Sequence, residues 1–245
     1  MSKLRIMSFV VAGSLVLIAN SYAATTKEYF DQGMNDAQQG NLTAAIDDFK
    51  KAIAIDPDFP NAYYNLALAY YKQGNYDEAL TAYTKAIEKR PTDAINYSNR
   101  GNVYDAEGEI DSAIADYTKA IQLKPDFSDA YTNRGFDYTK EEDFTKALAD
   151  LNKAIELDPS HVSAYLNRGI AYAKQDEFNQ AIADLNKAIA LDPNYGKAYS
   201  NRAVVYYHMN DFNKAWSDVH KADELGAQPN PRFVQRLMES MGMGG

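Results

Sequence analysis

Residues 130–135 read AYTNRG. The same phrase returns as AYLNRG at 164–169 and as AYSNRA at 198–203, each copy 34 residues after the last. A tyrosine is followed three residues on by arginine, with asparagine between. The segments carry the 3.6-residue periodicity of a helix. An arginine recurring in what reads as a packed helix needs a partner, because a buried charge is tolerated only when paired. Whether that partner is a ligand or the chain itself decides what these residues are for.

The prolines share the spacing. Pro57, Pro91, Pro125, Pro159 and Pro193 fall 34 residues apart, and a fixed period of this size marks a repeat array. Alignment on them divides the chain into six copies, at 26–59, 60–93, 94–127, 128–161, 162–195 and 196–229. Below, a position is counted from the start of a copy. Position 4 is tyrosine in all six, and position 11 in five, Asp36 being the exception. Position 8 is glycine or alanine, and positions 20 and 27 are always alanine. Positions 4, 8 and 11 share one helical face, so small residues at 8 and 20 let two helices approach closely. Position 24 is large and apolar. Position 15 is Gly40, Gly74, Gly108, Glu142, Asp176 or Asn210, the place for a left-handed residue closing the first helix; Glu142 suits that conformation poorly. The proline at position 32 ends the second helix.

Tyrosine at 4 and 11, a small residue at 8, alanine at 20 and 27, bulk at 24 and proline at 32 together resemble the tetratricopeptide repeat, TPR. The resemblance covers 26–229. It implies an all-α fold, a right-handed superhelical solenoid of six helix pairs with a concave groove. Independently of the family, one helix pair cannot bury its apolar face, and stacking supplies the core. Asn230 and Pro231 suit the start of a further helix. Phe233, Val234, Leu237, Met238 and Met241 lie on one side of it, so 230–241 is expected to cap the last copy, with Trp216 in the core beneath and 242–245 a flexible tail. At the other end, Thr25 and Glu28 form a capping-box pattern.

Position 7 reads Gln32, Leu66, Arg100, Arg134, Arg168, Arg202; position 23 reads Asp48, Ala82, Asp116, Asp150, Asp184, Asp218. Every copy with arginine has the aspartate sixteen residues later, and the copy with leucine has alanine. The aspartate tracks the arginine, so the two are expected to form an ion pair between the helices of one repeat. A lysine at position 26 competes for the aspartate at i,i+3, but Lys85 persists where the aspartate is missing.

Position 6 is asparagine in five successive copies: Asn65, Asn99, Asn133, Asn167 and Asn201. Helix propensity gives asparagine no reason to recur, and an amide donates and accepts at once. In peptide-binding members of the family an asparagine here often faces the groove. The resemblance therefore assigns these five, with Tyr64, Leu68, Tyr71, Phe136 and Ile170, to a peptide-binding surface. Phe30, Met34, Leu166, Val204 and Tyr207 share the groove-facing positions, with Lys72, Lys140 and Lys174 at position 13. The lysine at position 5 used by chaperone-type carboxylate clamps is absent. An apolar groove with amides suits an extended segment or a helix of a protein partner, although part of this surface is expected to serve as core between repeats.

Residues 1–23 follow another plan. Lys3 and Arg5 precede a mostly apolar stretch and Ser21-Tyr22-Ala23, the pattern of a secretory signal peptide. Cleavage after Ala23 would leave Ala24 first, remove two positive charges and no acid, and take the net charge from −9 to −11. The expectation is an exported protein, periplasmic or secreted, without membrane insertion after cleavage. So acidic a chain repels nucleic acid and anionic lipid. There is no cysteine, hence no disulfide, thiolate metal site or thiol nucleophile. No phosphate loop, nucleophile elbow or paired-histidine metal motif occurs, so no catalytic residue, metal or cofactor is expected. The reading is a non-enzymatic binding scaffold. Alternatives are an assembly subunit using its convex face or ends, or a regulatory subunit of an enzyme complex. The oligomeric state is left open.

Overall fold

The computed structural model describes residues 25–243, and every regular element among them is an α-helix. They divide into two compact units, the first ending at Leu123 and the second beginning at Lys124. The leader-like 1–23 and the terminal 244–245 lie outside the described residues.

The first unit holds α1 (25–38), α2 (Leu42–Ile55), α3 (Pro60–Gln73), α4 (Tyr76–Lys89), α5 (Ala94–Glu107) and α6 (Ile110–Leu123). From α2 onward each helix packs on the next, and α3 also touches α5. Thr25 is the first described residue and begins α1. The second unit holds α7 (Ser128–Lys140), α8 (Phe144–Leu157), α9 (Val162–Ala173), α10 (Phe178–Leu191), α11 (Gly196–His208), α12 (Phe212–Glu224) and α13 (Pro231–Ser240). Neighbours again pack in order, with α7 on α9 and α9 on α11. In both units the first helices of successive repeats therefore lie side by side, which places position 6 of one copy near position 6 of the next.

The alanines at positions 20 and 27 are all fully buried. Where position 8 is glycine it leaves little room against position 24: a Cβ on Gly101 would lie 2.7 Å from Tyr117 Cε1, and one on Gly135 would lie 2.8 Å from Leu151 Cγ. Into this close seam position 24 inserts Phe49, Tyr83, Tyr117, Leu151, Leu185 and Val219, all buried. Each supplies about 2 kcal/mol of apolar burial, which is why the pairing is set by bulk at 24 against small residues at 8.

The turn between the paired helices is left-handed in all six copies. Gly40, Gly74 and Gly108 have φ of 80° to 83°, while Glu142, Asp176 and Asn210 adopt 61°, 59° and 59° without glycine. Glu142 does so at a cost of about 1 kcal/mol for a side chain with no local compensation.

At the end of the second unit, Asn230 caps α13 by accepting a hydrogen bond from the Arg232 amide at 2.9 Å. Phe233 and Leu237 of α13 are buried against Ala215 and Val219 of α12. Trp216 packs at the edge of this cluster and remains partly exposed, its ring edge-on to His220 at 4.6 Å. It is a boundary residue rather than the core residue expected.

Candidate functional site

The arginines pair as their covariation with aspartate implies. Arg100 Nε donates to Asp116 Oδ2 at 2.7 Å and Nη2 to Oδ1 at 2.9 Å. The same two-pronged bond joins Arg134 to Asp150, Arg168 to Asp184 and Arg202 to Asp218, with every distance 2.7–2.8 Å. The arginine side chains are 16–20 % exposed and the aspartates 7–10 %. Each guanidinium also lies beside the position-4 tyrosine, 5.4–5.8 Å from its ring centroid. The hydrogen bonds to aspartate raise Arg100, Arg168 and Arg202 above the ordinary arginine range against the opposing effect of burial. At Arg134 burial is the largest single influence, but Asp150 carries the net shift upward. These arginines have spent their forks on the chain itself.

A third prong was not legible in the sequence. Arg100 Nη1 reaches back to Thr84 Oγ1 at 3.0 Å, Arg168 to Asn152 Oδ1 at 2.6 Å and Arg202 to Asn186 Oδ1 at 2.5 Å. All three acceptors occupy position 25 of the preceding repeat. One guanidinium thus ties its own second helix and the second helix before it. Repeat one, with Gln32 in place of arginine, shows the competing lysine at work. Lys51 takes Asp48 at 2.7 Å, whereas Lys85, Lys153 and Lys221 turn to Glu88, Glu156 and Glu224.

The asparagines are all half-buried, and they behave differently from one another. In the first unit Asn65 donates to the Asn61 carbonyl of its own helix at 2.8 Å. Asn99 donates to the Tyr64 hydroxyl at 3.2 Å, one repeat back. Tyr64 stands edge-on to buried Tyr83, and Tyr71 leans on Tyr76. Tyr64 and Tyr71 pack against the hydrophobic core of this unit, and burial pushes the Tyr71 hydroxyl above the ordinary tyrosine range. Leu68 is half-buried between them on α3. Tyr64 and Tyr71 are thus partly committed to the core of this unit.

In the second unit Asn201 back-bonds to the Lys197 carbonyl at 2.8 Å. Asn133 is engaged as well. Asn167 differs: half-buried on α9, its side-chain amide makes no hydrogen bond to any described residue. Phe136 is half-covered by Lys140, whose ammonium sits 4.5 Å from the ring centroid while also pairing with Asp137 at 3.0 Å.

Three residues beyond Asn167, Ile170 opens into a pocket of about 300 Å³ between α9, α10 and α11. Ile170, Ala173, Phe178, Leu185, Val204 and Val205 give it apolar walls, and Asn201, His208, Lys174 and Asp176 supply polar groups. His208 stacks on Phe178, with the planes 10° apart and centroids at 5.9 Å, forming one side. Val204 leaves 36 % of its surface exposed. The pocket can take an apolar side chain while an amide and an imidazole meet the adjoining backbone. It brings together Ile170 and Asn201 of the expected set. It adds Phe178 and His208, which sequence reasoning missed. His208 had a signal, since it shares position 13 with Lys72, Lys140 and Lys174. Among the described residues no cluster of His, Asp and Glu could hold a metal ion, and no helix is long and apolar enough to cross a membrane.

Comparison with known proteins follows the repeats. Profiles described as TPR repeat match 33–74 and 101–140, and profiles described as tetratricopeptide repeat match 60–93, 136–200, 82–115 and 185–217. No curated protein matches the chain in sequence. Among solved structures, a tetratricopeptide repeat protein from Parabacteroides merdae is similar, with 21 % identity over 90 % of this chain and 88 % of that one, at a TM-score of 0.74. Pseudomonas aeruginosa pilF is 20 % identical over 85 % and 95 %, at 0.70. YrrB, described as a TPR protein with an unusual peptide-binding site, is 25 % identical over 78 % and 97 %, at 0.56.

Proposed function

Because the chain belongs to the tetratricopeptide repeat family, whose fold is typical of protein–protein interaction, we propose that it is a non-catalytic scaffold that holds a protein or peptide against its first helices. The observation that carries this reading is Asn167: a half-buried amide without a partner in the chain, beside the apolar pocket that Ile170, Asn201, Val204 and His208 line. A part-exposed amide that the chain leaves unbonded is available to a ligand, and a peptide backbone offers both a donor and an acceptor for it. The likeness to YrrB, whose description names a peptide-binding site, supports the same reading. The plan of 1–23 supports export to the cell envelope, with the mature chain starting at Ala24.

The test begins with a pull-down from an envelope extract, after mass spectrometry of the exported chain. A mass starting at Ala24 is expected; a retained leader in the membrane fraction would contradict export. With the partner in hand, Asn167→Ala combined with Asn201→Ala should weaken binding roughly 30-fold, at about 1 kcal/mol per lost amide contact. Thermal stability should hardly move. Unchanged affinity would assign the asparagines to solvent. If substitutions on the second helices abolish binding instead, the chain works as an assembly subunit.

A further inference from the structure

Repeat two lacks both members of the arginine–aspartate pair and has Leu66 and Ala82 in their places. The two tyrosines that neighbour the guanidinium elsewhere are still present as Tyr63 and Tyr70. Between them lies an open pocket of about 360 Å³, floored by Leu66 and Ala82 and rimmed by Asp77, Glu78 and Lys85. In repeat three the corresponding volume is filled: the Arg100 guanidinium sits 5.8 Å from the centroids of both Tyr97 and Tyr104. The chain thus contains its own example of what fits between this pair of rings.

The rim of the repeat-two pocket has also changed sign. Position 19 is Lys146 in repeat four and Lys214 in repeat six, and each ammonium covers the position-11 tyrosine, at 5.1 and 5.2 Å. In repeat two that position is Glu78. Neither Asp77 nor Glu78 has a hydrogen-bond or ion-pair partner among the described residues, and Lys85 is drawn away to Glu88 at 2.7 Å. Lys50 reaches Tyr70 from α2, 5.4 Å from the ring centroid, without lining the pocket. No lysine or arginine of the described residues covers Tyr63. Two tyrosine rings, an apolar floor and two carboxylates without a hydrogen-bond or ion-pair partner, Glu78 attracting Lys50 only at longer range, are complementary to a side chain with an aliphatic stem and a planar cationic head.

We propose that this pocket is a docking site for an arginine side chain presented by a partner protein. The stem lies on Leu66 and Ala82, the guanidinium enters between Tyr63 and Tyr70, and its N–H groups donate to Asp77 and Glu78. The site lies where α3 meets α4 in the first unit, whereas Asn167 and its pocket belong to the second, and it does not depend on the function proposed above.

The probe is acetyl-arginine N-methylamide, titrated into the full chain and followed by amide NMR shifts. Saturable shifts confined to residues around Glu78, Thr81 and Ala82, at a dissociation constant on the order of millimolar for so small a ligand, are expected. The lysine analogue should bind more weakly and the norleucine analogue not measurably. The variant Leu66→Arg with Ala82→Asp places the chain's own guanidinium between the tyrosines, a solution four other repeats already use, and should abolish the shifts. Should that variant not fold, Asp77→Asn with Glu78→Gln alters only the rim and should weaken binding roughly threefold to tenfold. Shifts spread over the acidic surface, equal binding of the norleucine analogue, or no localised shifts would overturn the proposal.

Discussion

Repeats two and three are neighbours in the same unit, built on helices of 14 residues each, and they close the seam between those helices in opposite ways. Repeat three uses Arg100 on Asp116 and seats Tyr117 flat against Gly101, its hydroxyl donating to Asn102 Oδ1 at 2.8 Å. Repeat two uses Leu66 beside Ala82. Its Ala67 carries the Cβ that Gly101 lacks, so Tyr83 cannot lie where Tyr117 does. Leu68 stands where repeat three has Asn102, and the buried Tyr83 hydroxyl has no hydrogen-bond partner. Burial accordingly drives that hydroxyl far above the ordinary tyrosine range. The comparison teaches that the backbone plan does not need the ion pair. It needs a partner for the aspartate wherever one is present, arginine in four repeats and Lys51 in repeat one, because an unpaired buried carboxylate is a stranded charge.

Substitutions that move one repeat toward the other probe this directly. The largest effect is expected for Arg100→Leu alone, which copies half of repeat two and leaves Asp116 buried without its fork. It should lose about 3 kcal/mol in urea unfolding, with a thermal shift to match. Next comes Gly101→Ala, which imports Ala67 into a repeat whose tyrosine fills that space. Overpacking there should cost about 2 kcal/mol, and a neutral result would show that Tyr117 can shift as Tyr83 has. Smallest is the hydroxyl comparison. Tyr83→Phe removes an orphaned donor and should stabilise by about 1 kcal/mol, whereas Tyr117→Phe breaks a made bond and should destabilise by a similar amount. Equal signs would mean that the two hydroxyls are in equivalent surroundings.

Much of this was readable in advance, for a physical reason. Alanine at 20 and 27 in all six copies, and the proline at 32 in five, answer to close approach and chain termination, demands that recur along the array. The arginine–aspartate pair was readable because repeat two lacks both members. What escaped depends on side-chain placement that varies from copy to copy. The third prong of the guanidinium ends on Thr84 in one place and Asn152 in another, so no single residue type marks it, and Lys50 and His220 hold the same position in repeats without that role. Lys51 wins Asp48 only because Gln32 cannot compete. The pocket beside Ile170 exists because His208 stacks on Phe178, a pairing between α10 and α11 that the position alphabet does not contain. The left-handed Glu142 shows the turn's geometry overriding the preference of its residue.

The claim that the recurring arginines are structural fasteners rests on their dependence on aspartate, and a double-mutant cycle on Arg100 and Asp116 measures that dependence. Urea unfolding of the wild type, Arg100→Leu, Asp116→Ala and the double variant gives the coupling. Both single variants should be clearly destabilised, and the double, which recreates Leu66 and Ala82, should return to within about 1 kcal/mol of the wild type. Losses that simply add in the double variant would contradict the account, and would free the arginines to be read as ligands for an acidic partner.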